Sequence, residues 1–180
     1  MNALVLDGRG RVLLQRRPRG KDNGGLWDKS VGGHVSAGED WDTTLVREAG
    51  EELFDDPASP RVRLARSDAE YAALLAGGDL ARVVAFRRVG LQLSLRDVRH
   101  GPRGGRRNVL YHVAVYAGRT EIPERGFRPQ PSEIGALRYF PVARVDAMLL
   151  AGALAPNMAF LWLAYGHRLL GPQGAGNRRR

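Results

Sequence analysis

Cysteine is absent from this 180-residue chain. That absence excludes a disulfide framework, a thiolate zinc site and a cysteine nucleophile. Histidine is scarce: His34, His100, His112 and His167 are scattered, without the close pair that a zinc-binding helix requires. Aromatic residues make up only 7% of the chain, and no aromatic-rich strand offers a platform for stacked bases. Lysine is reduced to Lys21 and Lys29, so the formal net charge of +9 is carried almost wholly by arginine. Such a balance favours anionic partners, but the arginines are spread along the chain instead of forming a basic stripe, so biased composition explains them as well. Long apolar runs are missing too. The most apolar stretch, Ala147 to Tyr165, is interrupted by Gly152, Pro156 and Asn157. Pro156 should split it into two short helices that pack on a sheet, with no membrane contact. One apolar face there leaves room for a subunit interface, so a homodimer stays open. Met1-Asn2-Ala3 leads straight into strand-like sequence without a signal-peptide pattern. The expectation is one soluble, cytoplasmic domain over residues 1–170, followed by a disordered basic tail over 171–180.

What is present is organised around one stretch. Gly32-Gly33-His34-Val35-Ser36-Ala37-Gly38-Glu39 is a glycine-punctuated loop, and Asp40 to Leu53 follows at once as an amphipathic helix. Trp41, Leu45, Ala49 and Leu53 recur every four residues with Val46 beside them. Asp40 is placed to cap the helix, its carboxylate accepting from free amides of the first turn. Glu48, Glu51 and Glu52 stand three and four apart, so their carboxylates gather on one side and repel, each close pair by a few tenths of a kcal/mol in water. A bound divalent cation removes that repulsion, since magnesium takes oxygen ligands from one or two carboxylates together with substrate phosphates.

The spacing adds more than the glutamates do. Gly33, five residues, Glu39, seven residues and then Arg47-Glu48-Ala49-Gly50-Glu51-Glu52 resembles the signature of the Nudix hydrolase family. Taken alone, Arg47 to Leu53 reads as a solvated helix face; the glycine loop and Glu39 in register give it meaning. Gly33, Glu39, Arg47, Glu48, Ala49, Glu51 and Glu52 all match. The departure is Phe54-Asp55, where the family has a glycine that caps the helix in the left-handed region. The helix should therefore run a little further and stop before Pro57. Gln15 to Lys21, Trp27-Asp28, Ser30 and Gly32 to Val35 are similar to the branch that includes isopentenyl-diphosphate isomerase. That enzyme moves a proton with a cysteine, which this chain lacks, so isomerisation is disfavoured.

The resemblance implies an α/β fold, an α/β/α sandwich with a mixed β-sheet, and a loop-helix that holds Mg2+ or Mn2+. Its metal ligands would be Glu48, Glu51, Glu52 and the Gly33 carbonyl. Its catalytic set would be Glu51, Glu52, Arg47 and Glu39: Glu51 as first choice of base and Glu52 as second, Arg47 orienting the glutamates, Glu39 bracing the loop. Arg17, Lys21 and Glu133 are candidates for substrate binding. The implied reaction is metal-dependent hydrolysis of a nucleoside diphosphate linked to another moiety. A non-catalytic nucleotide-binding regulator would not need the full carboxylate set. An RNA 5′-end pyrophosphohydrolase would suit the charge, but nucleic acid ranks below a small nucleotide or diphosphate substrate.

Elsewhere the pattern is that of a mixed α and β chain. Ala3 to Leu6 and Val12 to Arg17 flank the turn Asp7-Gly8-Arg9-Gly10 as a hairpin. Trp27 to Gly33 should be a strand running into the glycine loop, with Trp27 in the core. Ser67 to Ala76 reads as a helix with a Ser67/Glu70 capping box, ended by Gly77-Gly78. Asp79 to Arg88 is ambiguous between helix and strand, Leu91 to Leu95 alternates as a strand does, and Asn108 to Tyr116 is the clearest strand of this half. His100 to Arg107 reads as a solvated hairpin loop and Thr120 to Pro131 as irregular. Ser132 to Pro141 resembles the late Nudix segment that leads through a last strand into the C-terminal helix.

Overall fold

A computed structural model describes residues 1–100 and 105–170. The expected tail over 171–180 and the centre of the loop expected between His100 and Arg107 lie outside the described residues. An eight-stranded mixed sheet forms the middle layer. Its strands are β1 (Asn2–Leu6), β2 (Val12–Arg16), β3 (Trp27–Asp28), β4 (Val31–Gly32), β5 (Val62–Ala65), β6 (Val84–His100), β7 (Arg106–Arg119) and β8 (Ala136–Phe140). The order is β3-β2-β1-β7-β6-β5, with β4 paired to β1 and β8 to β2. β1 runs parallel to β7 and antiparallel to both β2 and β4.

β1 is buried at all five positions, as expected of a strand covered on both faces. Ala3 and Val5 join one core with Leu45, Ala49 and Leu53, while Leu4 and Leu6 join the other with Val145, Met158, Leu161 and Trp162. The alternation of β1 therefore decides which helix each side chain meets. Leu45, Ala49 and Leu53 belong to α1 (Trp41–Phe54), and all three are fully buried. Burying each of the two leucines contributes about 1.5–3 kcal/mol. The opposite layer consists of α3 (Val142–Leu150) and α4 (Pro156–Leu170). Pro156 splits this apolar stretch as its chemistry requires: it is the first residue of α4, a position with no intrahelical N–H bond to lose. No helix among the described residues is long and apolar enough to cross a membrane. Trp27 packs against the second core and meets Phe140 edge-on, with ring centroids 4.7 Å apart.

α2 (Asp68–Gly77) begins on Ser67, whose hydroxyl accepts from the Glu70 amide at 3.1 Å. The return contact of Glu70 goes one residue further back, to the Arg66 amide at 2.6 Å. The ambiguous stretch after α2 resolves into turns and then β6, which lies parallel to β5 from Val84 to Arg87. β6 and β7 form a long antiparallel ribbon whose register shifts between Gln92 and Leu95. Ser94 has a positive φ of 56° at that irregularity, and its amide donates to the His112 ring at 3.2 Å.

Candidate functional site

The loop that enters α1 is shaped by two glycines. Gly38 has a φ of +87°, a conformation that costs other residues energy. At Gly33 a Cβ would overlap the carboxylate of Glu48, which would have to shift from its place in the cleft. Asp40 caps α1, its carboxylate accepting from the Thr43 amide at 2.7 Å. At the other end the helix runs through Phe54, and Asp55 takes the left-handed cap at φ 55°. The Asp55 and Asp56 amides then donate to the carbonyls of Glu51 and Gly50 at 3.1 Å each. Asp tolerates this conformation better than Phe does, so the cap moves one residue along and the helix ends before Pro57.

On α1, residues four apart stand one above the other. Arg47 and Glu51 form one row; Glu48 and Glu52 form the next. The Arg47 guanidinium grips Glu39 with two hydrogen bonds, Nε to Oε1 at 3.0 Å and Nη2 to Oε2 at 3.1 Å. It also meets Glu48 at 3.1 Å and Glu51 at 3.2 Å. One planar fork thus ties the loop glutamate to two glutamates of the helix. Thr44 adds a hydroxyl donor to Glu39 at 3.0 Å. The Arg47 hydrogen bonds, helped by Thr44, hold Glu39 below the usual carboxylate range.

Glu48 and Glu52 line a cleft of about 740 Å³ together with Arg47, Gly33, Arg17 and Glu133. Burial raises the Glu48 carboxyl above its ordinary value, against the pull of Arg47. Glu52 is pushed up to about 8, first by burial and then by the nearby charges of Glu48 and Asp28; the Gly32 amide, donating at 3.0 Å, and Lys29 pull the other way. Two desolvated carboxylates side by side form a donor set suited to a hard divalent cation, which relieves both penalties at once. Among the described residues, no three His, Asp or Glu side chains converge into a metal cage, because Glu51 turns towards Arg47. A cation held by Glu48 and Glu52, with substrate oxygens and water completing its shell, fits the residues present. The Gly33 carbonyl, the other expected ligand, accepts from the Met1 amino group at 2.6 Å.

Of the three candidates for substrate binding, Arg17 and Glu133 line the cleft, while Lys21 reaches it only through Glu133. Arg17 lines it, anchored by Nε to the Asp22 carbonyl at 2.6 Å and by Nη1 to Asp28 at 3.3 Å. Lys21 pairs with Glu133 at 2.8 Å, a contact across 112 positions of sequence. The residues that sequence reasoning passed over are Asp28 and Lys29. Both are buried, and the Lys29 ammonium meets the two oxygens of Asp28 at 3.3 and 3.2 Å. Burial opposes ionisation of Asp28, yet Lys29 and Arg17 hold its carboxyl below the usual range. Two charged residues inside an otherwise strand-like run were the signal available.

Comparison with known proteins agrees with this geometry. Residues 1–72 match the model of the NUDIX domain. A stretch of 75 residues is 37% identical to the isopentenyl-diphosphate Delta-isomerase of Leifsonia xyli subsp. xyli, covering 41% of this chain and 40% of that enzyme, so the match spans less than half of either protein. The fold is similar to the crystal structure of DR0079 from Deinococcus radiodurans, with a TM-score of 0.58, 21% identity and coverage of 89% and 77% of the two chains. The glycine loop and the arginine-clamped glutamates both lie within residues 1–72, the part of the chain that matches the NUDIX domain.

Proposed function

We propose that this protein is a cytoplasmic Nudix hydrolase that cleaves the diphosphate bond of a nucleoside diphosphate linked to another moiety, with Mg2+ or Mn2+ as cofactor. The observation that carries the reading is the pair of half-buried carboxylates, Glu48 and Glu52, facing the cleft beside an arginine that holds Glu39, Glu48 and Glu51. A structural helix face has no reason to bury two like charges, whereas a cation-binding wall does.

When bound by Glu48 and Glu52, the cation would neutralise charge on the diphosphate oxygens and make a bound water more acidic. Arg47 fixes the carboxylates in place, so little reorganisation is needed during the reaction. Glu51 is the proposed base and would leave Arg47 to take the proton, with Glu52, which lines the cleft, as the alternative. The water oxygen forms a bond to one phosphorus, its proton passes to the carboxylate, and the bridging P–O bond breaks with its electron pair leaving on the second phosphate. Arg17, which also lines the cleft, supplies a cation for that second phosphate.

The test is product release from a panel of nucleoside diphosphate derivatives and other diphosphate esters, isopentenyl diphosphate included, with and without Mg2+. The wild-type protein is compared with a Glu51→Gln, Glu52→Gln double variant. Metal-dependent cleavage of one compound class, lost in the variant, is the expected result. Binding without turnover in either metal would refute the hydrolase reading and leave a binding protein.

A further inference from the structure

The cleft contains a polar group that neither the carboxylate helix nor its arginine clamp uses. Gln15 on β2 is only 3% exposed, stands opposite Asp28 in the β2–β3 ladder, and lines the cleft. Its neighbours are committed: the Asp28 carboxylate accepts from the Lys29 amide, the Lys29 ammonium and Arg17. The side-chain amide of Gln15 has no hydrogen-bond partner among the described residues, and it is not sealed inside protein either. It opens onto the cleft. A buried amide in that state is penalised relative to an apolar side chain of the same size, unless water or a ligand satisfies it. Asn2 is the other buried amide that lines this cleft.

Gln15 lies in β2 and Arg17 directly after its end, two positions on, and both line the cleft. Arg17 is pinned by its contacts with Asp22 and Asp28, which leaves further N–H donors of its fork uncommitted. The end of β2 and the residue that follows it therefore present an amide and a guanidinium to the same cleft that Glu48 and Glu52 line. Anionic oxygens suit both donors. A neutral donor at position 15 adds a hydrogen bond without placing a third cation beside Arg17 and Lys29.

We propose that Gln15 is a specificity-determining residue: its amide N–H2, with the Arg17 fork, hydrogen-bonds the non-bridging oxygens of the diphosphate's second phosphate, the one farther from the glutamate helix. The assignment rests on the diphosphate reading above. It makes the site selective for a diphosphate over a single phosphate, because only a diphosphate offers these donors a second phosphate.

The experiment measures binding of methylenediphosphonate and of inorganic phosphate in Mg2+ by calorimetry, together with ligand-free thermal unfolding, for wild type, Gln15→Leu and Gln15→Met. Both variants should weaken diphosphonate binding about tenfold, equivalent to about 1.4 kcal/mol, and narrow the preference over inorganic phosphate by a similar factor. Their ligand-free Tm should be unchanged or raised, since the unpaired amide is gone. Wild-type affinity in both variants overturns the proposal, as does a large fall in Tm in both, which would make Gln15 structural. Failure of the wild-type protein to bind diphosphonate overturns the diphosphate reading itself, and this inference with it.

Discussion

Replacing Glu52 by Gln should raise the stability of the metal-free protein and abolish the activity seen with metal. Glu52 is held at about 8 in the folded chain, against an ordinary value of 4.5. Between those two values the folded state keeps a proton that the unfolded state has released. Stability therefore falls as pH rises through this window, and it is fully present only below about 4.5. At about 1.4 kcal/mol per pH unit the ceiling is about 5 kcal/mol. Water in the open cleft screens the charge, and about 2–5 kcal/mol is the working range. The glutamine introduced by Glu52→Gln cannot ionise, yet its amide oxygen can still accept from the Gly32 amide. In EDTA, the variant should match wild type near pH 5 and unfold at higher temperature at pH 8–9. For a chain of this size each kcal/mol corresponds to about 2–4 °C. Added Mg2+ should stabilise wild type at pH 8 and leave the variant nearly unaffected, because ligand binding to the folded state is coupled to stability. The assay is thermal unfolding from pH 5 to 9, with EDTA or Mg2+. Equal stability of the two proteins at pH 8–9 in EDTA would refute the claim that this carboxylate is buried at a cost.

Two other substitutions probe the supporting charges. Arg47→Lys replaces a planar fork that meets Glu39, Glu48 and Glu51 with a point charge, and kcat/KM should fall about 10–100-fold. Its Tm should move little, since partly exposed ion pairs contribute about 0–1 kcal/mol; full activity would sink the clamp argument. Asp28→Asn leaves the buried Lys29 ammonium without its counter-charge and should cost about 3–5 kcal/mol in urea unfolding. A loss below about 1 kcal/mol would mean that water reaches this pair freely.

The parts legible in the sequence are those set by local chemistry. The four-residue recurrence of Leu45, Ala49 and Leu53 predicts the buried face of α1, and that face is buried. Asp40, Ser67 and Pro156 mark helix starts because capping and proline geometry act within a single turn. The order of glutamates on α1 also follows from its period. Arg47 stands over Glu51 and Glu48 over Glu52, which already separates Glu51 from the two carboxylates that line the cleft.

Tertiary structure decides what lies opposite those rows. Gln15 meets Asp28 only because β2 and β3 pair in one register, and Lys21 reaches Glu133 across 112 positions. β1 lies parallel to β7, more than a hundred residues away, and this pairing builds the sheet that carries the cleft. Such contacts depend on which strands pair and in what register, and a one-residue slip would turn every side chain to the other face. The identity of Gln15, Asp28 or Lys29 contains no record of that choice. Burial does the rest: the same glutamate is ordinary at the surface and titrates near 8 when the assembled sheet strips it of water.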